Sequence, residues 1–307
     1  MSKTGVSAEQ IVVESEGLRL AAWQGPGTGP TVAFVHGFPD THAVWQPVVE
    51  RLADRFRCVT YDVRGAGASD SPSTREGYHV SHLVTDLVAV VDACAPAEPV
   101  HLVGHDWGSV QSWEAVFAES SDPRLEGRIA SYTSISGPAL AHMAAFAKTA
   151  RDGDWRHRQE WLVQQLHSWY VYAFQLPLLP ELALRTRATR QLAASRKAGR
   201  TWPAATLAAD TVHGLELYRA NLRGDARSLR PGGVRQGQRA RTRLPVQLVV
   251  PLRDPYITPA ATREVHRFVP NLTRVKIDAG HWVQQTDPDR VAALIGDFAS
   301  AHRAIAS

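Results

Sequence analysis

The chain has 307 residues, 44% of them hydrophobic and 21% charged, enough apolar mass for one large α/β domain with an inserted subdomain, so disorder is not the default reading. The formal charge is +4, and much of the basic excess lies in one stretch, Arg219 to Arg243, which also holds Arg223, Arg227, Arg230, Arg235, Arg239 and Arg241. No helix-turn-helix, zinc-finger or RNA-binding signature accompanies it, so it reads as a solvated connector and not as a nucleic-acid site.

The opening MSKTGVSAEQ has no apolar core, and no uncharged apolar run long enough to span a bilayer follows, which leads to the expectation of a cytoplasmic protein. IVVESEGLRLAAWQG alternates apolar and polar residues on either side of Glu16-Gly17, the pattern of a β-hairpin at a sheet edge. Thr31 to Val35 then fits a strand buried on both faces. From there helices and strands alternate: a helix over Val44 to Ala53, a strand over Cys58 to Tyr61, a helix over Val80 to Cys94, a strand over Val100 to Val103, a helix over Ser109 to Ser120, and a strand over Ile129 to Ile135. That rhythm is the signature of βαβ units and a mostly parallel sheet. Cys58 and Cys94 fall in apolar segments without metal-ligand spacing, which predicts buried free thiols.

The alternation breaks after Ser136-Gly137-Pro138 and resumes with a strand over Leu244 to Val250, a helix near Ala260 to Phe268, a strand over Thr273 to Ile277 and a last helix near Pro288 to His302. Residues 139 to 235 are helical in character and read as an inserted cap, with residues 1–138 and 236–307 forming the core. In open α/β sheets ligands bind at the carboxyl edge, so a cap placed there would shield a pocket.

Gly104-His105-Asp106-Trp107-Gly108 follows a strand and precedes a helix, the strand-turn-helix setting of the nucleophile elbow. The central residue is an acid where serine is commoner, and a carboxylate ionised at neutral pH can displace a leaving group at carbon without a base to activate it. Taken alone, Asp106 also fits a helix N-cap. Asp254 and His281 follow later strands, in the order nucleophile, acid, histidine, and three matched positions at three strand ends argue against coincidence. His36-Gly37-Phe38-Pro39-Asp40 follows another strand, and the backbone N–H groups of Phe38 and Trp107 are the predicted oxyanion pair. His36 is expected to brace its loop, and Asp62 to brace the turn through Arg64-Gly65-Ala66-Gly67.

With HGFP, YDVRGAGASD, GHDWG, RDPYITP and AGHW in register, nearly the whole chain resembles the α/β-hydrolase superfamily, in particular its epoxide hydrolases and their dehalogenase relatives. The resemblance implies a mostly parallel eight-stranded sheet flanked by helices, with a helical cap. It also implies two cap tyrosines that grip an epoxide oxygen. SWYVYAFQLP places Tyr170 at the first position and ELYRAN places Tyr218 at the second, with Tyr172 as the reserve if the helix is turned differently. Each could instead be a core aromatic with its hydroxyl bonded nearby. An epoxide leaves as an alkoxide and needs a proton donor, which tyrosine supplies at neutral pH. Phe38 stands where haloalkane dehalogenases often place Asn, and Trp107 where fluoroacetate dehalogenases place Arg.

The implied reaction is therefore hydrolysis of a small apolar epoxide to a vicinal diol, with water as co-substrate and neither metal nor organic cofactor. Asp106 forms an ester that a water activated by His281 and Asp254 cleaves. The alternatives are a haloalkane or haloacid dehalogenase using the same nucleophile, and a non-catalytic small-molecule receptor on the same fold. Oligomeric state is left open by the sequence.

Overall fold

A computed structural model describes residues 8–197, 202–222 and 240–302. Strands β1 (Glu9–Ser15) and β2 (Leu18–Gln24) form the antiparallel hairpin, turning at Glu16-Gly17 where both residues have positive φ. There follow β3 (Thr31–Val35), α1 (Gln46–Leu52), β4 (Arg57–Tyr61), α2 (Val80–Cys94), β5 (Val100–His105), α3 (Trp107–Ala118) and β6 (Ile129–Ile135). After the insertion come β7 (Val246–Pro251), β8 (Leu272–Ile277) and, through a helical turn at 283–286, the terminal helix at Pro288–Ala301.

The eight strands form one sheet in the order β1-β2-β4-β3-β5-β6-β7-β8, parallel from β4 to β8. β3, β5 and β7 are buried along their whole length, which is why they read as mainly apolar runs rather than alternating ones. One core cluster packs under α2 and α3, with Leu83, Leu87 and Trp113, and a second lies on the opposite face under α1 and the terminal helix, with Trp45, Phe56 and Ile295. Edge strand β8 carries Arg274 and Lys276, charges that discourage pairing with another strand. Cys58 and Cys94 are buried free thiols.

Between β6 and β7 the insertion builds α4 (Leu140–Asp152), α5 (Trp155–His167), α6 (Trp169–Ala173), α7 (Leu179–Lys197) and α8 (Leu207–Asn221). Two sequence expectations need correction. Arg219 is not a solvated residue: it is buried, paired with Glu181 at 2.8 Å and Glu216 at 2.9 Å, and donates to the carbonyls of Phe174 and Leu176, locking α8 to α7. Arg241 and Arg243 are exposed as expected, whereas Arg223 to Arg239 lie outside the described residues. The second correction concerns the helix near Ala260 to Phe268, which is a 3₁₀ helix at Pro259–Arg267. There the Arg274 guanidinium takes the carbonyls of Thr262 (2.7 Å) and Arg263 (3.4 Å), withdrawing acceptors that an α-helical ladder would use.

Among the described residues no helix is long and apolar enough to cross a membrane.

Candidate active site

The parallel register sets the carboxyl ends of β3, β5, β7 and β8 side by side, so the segments leaving them converge. Asp106 sits between β5 and α3 with φ 53° and ψ −124°, a conformation that L-residues rarely adopt. The flanking glycines make it possible: a Cβ on Gly104 would lie 2.7 Å from the Gly108 carbonyl oxygen, and one on Gly108 would lie 2.2 Å from that of Val35. Although Asp106 occupies the N-cap position of α3, its side chain makes no capping hydrogen bond. Its carboxylate, 15% exposed, instead points into the site. Oδ1 accepts the Phe38 N–H at 2.8 Å, and Oδ2 lies 3.6 Å from His281 Nε2.

Gly37 allows this approach, because a Cβ there would stand 2.5 Å from both Cβ and Oδ1 of Asp106. Of the two predicted oxyanion donors, Phe38 N–H is thus already aimed at the carboxylate. Trp107 is the first residue of α3, where no preceding turn supplies an acceptor for its N–H. His36 braces the loop as expected, its Nε2 accepting the Val63 N–H at 2.9 Å. Asp62 likewise holds the following turn, accepting the Ala68 N–H at 2.8 Å and the His42 N–H at 2.8 Å.

His281 is buried, with Nδ1 2.9 Å from Asp254 Oδ2. Asp254 is oriented by its own loop, its Oδ1 accepting the N–H groups of Tyr256 (2.8 Å) and Ile257 (3.2 Å). Burial alone would push the Asp254 carboxyl up, but His281 and those two N–H groups outweigh it and the net direction is downward. Burial disfavours the His281 imidazolium as well, yet the carboxylates of Asp106 and Asp254 outweigh it and raise the pKa to about 10. His105 packs against His281 with ring centroids 4.6 Å apart, and its Nε2 meets the His281 carbonyl at 3.0 Å. Burial pushes the His105 pKa down to about 3, so it is a neutral imidazole that donates to that carbonyl and fixes the His281 backbone.

From the insertion, α6 brings Tyr170 and α8 brings Tyr218 into edge contact, with centroids 5.9 Å apart. Tyr218 also packs edge-on against Trp107 (5.1 Å) and Phe38 (5.4 Å). Burial first, and the nearby Asp106 carboxylate among other contributions, push both phenols above the ordinary value, so both keep their protons. Tyr172, the reserve candidate, faces outward and donates to Gln165 Oε1 at 2.6 Å.

Two residues escaped the sequence reading of function. Tyr256 stands 4.9 Å from His281 and 5.4 Å from Tyr170, ring to ring, and its place two residues after Asp254 was the available signal. Asp40 is buried and accepts two indole N–H groups, from Trp202 of the insertion at 3.0 Å and from Trp282 at 2.8 Å. Burial pushes its pKa up to about 7 against the opposing effect of those donors. Among the described residues no group of three or more His, Cys, Asp or Glu could hold a metal ion.

Residues 30–288 match a family described by the alpha/beta hydrolase fold. A protein of Mycobacterium tuberculosis named probable oxidoreductase EphD is 36% identical over 298 residues, covering 94% of this chain but 49% of that protein, so the chain spans about half the length of this relative. Epoxide hydrolase 3 of Xenopus tropicalis is 27% identical over 298 residues, covering 89% of this chain and 72% of that protein. The crystal structure of an epoxide hydrolase of Bacillus megaterium in complex with an inhibitor superimposes with a TM-score of 0.74 at 23% identity, covering 94% of this chain and 100% of that one, a likeness of fold.

Proposed function

We propose, from the premise that the chain belongs to the alpha/beta hydrolase fold family, that it hydrolyses an apolar epoxide to a vicinal diol through an ester on Asp106. One observation carries this reading: the Asp106 carboxylate has one oxygen on the Phe38 N–H and the other facing His281, beneath the protonated pair Tyr170 and Tyr218. The mycobacterial relative carries a different name, while the frog protein is named for the reaction proposed here.

In the first step Oδ2 of Asp106 bonds to an epoxide carbon and the carbon–oxygen bond breaks, sending the electron pair to oxygen. Tyr170 and Tyr218 donate to that oxygen as charge builds on it. Oδ1 becomes the ester carbonyl, still on the Phe38 N–H. Esterification removes one of the two negative charges that stabilise the imidazolium, so the His281 pKa falls. The proton it then releases balances the one taken up by the alkoxide, and neutral His281 is left to draw a proton from water. That water attacks the ester carbonyl carbon, and the oxyanion forms on Oδ1 against the N–H groups of Phe38 and Trp107. As it collapses the bond from the carbonyl carbon to Oδ2 breaks, Oδ2 leaves in the diol with the proton of the newly formed acid, and the Asp106 carboxylate is restored beside protonated His281.

The test is a single turnover in heavy-oxygen water. Label is expected in Asp106 and not in the first diol; a labelled first diol refutes the ester. Halide displacement by the same nucleophile needs no proton. The double variant Tyr170→Phe, Tyr218→Phe is therefore expected to lose roughly a hundredfold or more of epoxide turnover. A chain that instead releases halide from haloalkanes, with that variant unimpaired, is a dehalogenase.

A further inference from the structure

The insertion carries an apolar surface that no described residue covers. Of the twelve large apolar side chains exposed among the described residues, ten fall between Trp155 and Leu182, on α5, α6, the segment that follows it and the start of α7. Scattered single exposures are ordinary, but a concentration of this kind marks a contact surface. Helix α5 is amphipathic in the inverted sense. Trp155, Leu162 and Leu166 share one helical face and are exposed, at 67%, 62% and 74%. Half a turn away Gln164 is buried, donating to Ser168 Oγ and the Tyr256 carbonyl and accepting from the N–H and hydroxyl of Thr258. The polar side is thus pinned inward by four hydrogen bonds, and the helix cannot roll to hide its leucines.

The insertion that carries this face is basic on balance. Residues 140–197 hold nine Lys and Arg against four Asp and Glu, an excess larger than that of the whole chain. The acids are engaged: Asp152 with Arg151, Asp154 with His157, Glu160 with Arg263 and Glu181 with Arg219. Arg156 and Arg158, on either flank of the exposed α5 face, are themselves exposed, the Arg156 guanidinium lying over the Trp155 ring at 5.6 Å from its centroid. A two-fold contact between copies would set these like charges against each other. Tryptophan, tyrosine and leucine bordered by exposed arginines suit a headgroup boundary, where indoles and phenols settle and cations meet lipid phosphates.

We propose that this face of the insertion docks on the surface of an anionic lipid bilayer. The five-residue helix α6 joins docking to chemistry: Tyr170 turns into the site, while Trp169 and Tyr172, 66% and 63% exposed, turn outward. An apolar epoxide dissolved in lipid would then enter beside the tyrosine that grips it, a benefit that rests on the epoxide reading; the docking itself does not.

The experiment is flotation of the whole chain with vesicles of phosphatidylcholine alone and with phosphatidylglycerol added, at low and high salt. Binding to the anionic vesicles, lost at high salt and accompanied by a blue shift of tryptophan emission, is expected. Arg156→Gln with Arg158→Gln, at exposed positions that leave the fold intact, should weaken partitioning roughly thirtyfold. Leu162→Ser with Leu166→Ser should abolish the blue shift while circular dichroism is unchanged. Failure to float with anionic vesicles at low salt overturns the proposal. So does a concentration-dependent dimer in sedimentation that the leucine variant dissolves, which would assign the face to a second copy. Because no substrate is present, failed docking leaves the reaction standing, and a failed labelling experiment leaves the docking result standing.

Discussion

Asp106 owes its geometry to what its neighbours lack. Without side chains at Gly37, Gly104 and Gly108 the carboxylate can sit at positive φ with one oxygen on a backbone N–H. Gly37→Ala, whose new methyl would overlap Asp106, is expected to lower turnover roughly a hundredfold or more while leaving the fold intact by circular dichroism. His281 should report on its partners directly. In Asp106→Asn one of the two flanking carboxylates is gone, and the imidazole pKa, followed by NMR, is expected to fall by roughly one to three; an unchanged titration argues against the proposed coupling. In His281→Gln the ester forms without its base, so intact mass should rise by the mass of one substrate. The raised His281 pKa also has a sign for stability: its contribution is complete below about 6.5, the unfolded value, and fades as pH rises through about 10. At this scale the sequence was legible where residues sit at strand ends, since backbone register alone brings Asp106, Asp254 and His281 together. Asp40 and Tyr256 were hidden because their roles depend on which side chains pack against them.

The helices of the insertion are held to the sheet by a few buried polar groups. Asp40, on the loop after β3, accepts indole N–H groups from both the insertion and the residue following His281. Asp40→Ala leaves two indoles unpaired, and a loss of about 1–3 kcal/mol on unfolding is expected, with faster hydrogen exchange around Trp202. Asp40→Asn isolates its titration. A carboxyl whose pKa rises to about 7 on folding contributes stability that is complete below the unfolded value near 3.9 and lost as pH rises through 7. Melting temperature should therefore fall less between pH 4 and 7 in the amide variant than in the parent. Helical character in the insertion was readable from composition, and the orientation of its helices was not. α5 hides a glutamine and shows its leucines, the reverse of the rule by which amphipathic helices are placed. Arg219 was misjudged for a related reason: counting charges along the chain does not reveal that Glu181, 38 residues away, meets it.

Across the molecule the fold depends on a buried ion network at its hairpin end. Arg64 pairs with Asp86 through two contacts of 2.6 Å, reaches Glu16 at the hairpin turn at 3.0 Å, and donates to the carbonyls of Gly77 and His82. Asp86→Ala would leave the buried guanidinium with Glu16 as its remaining carboxylate in this network, and a loss of about 3 kcal/mol is expected in chemical denaturation. The α/β class and strand order were legible because each buried parallel strand is a short apolar run between helices; the network was not, since its members lie far apart in sequence. Gln164 has a further consequence at this scale. Its side chain ties α5 to Tyr256 and Thr258, the loop whose N–H groups orient Asp254. A chimera that grafts a foreign insertion onto this sheet, as one would to change substrate range, must therefore supply an amide at that position, or it inherits the new pocket with a misaligned acid.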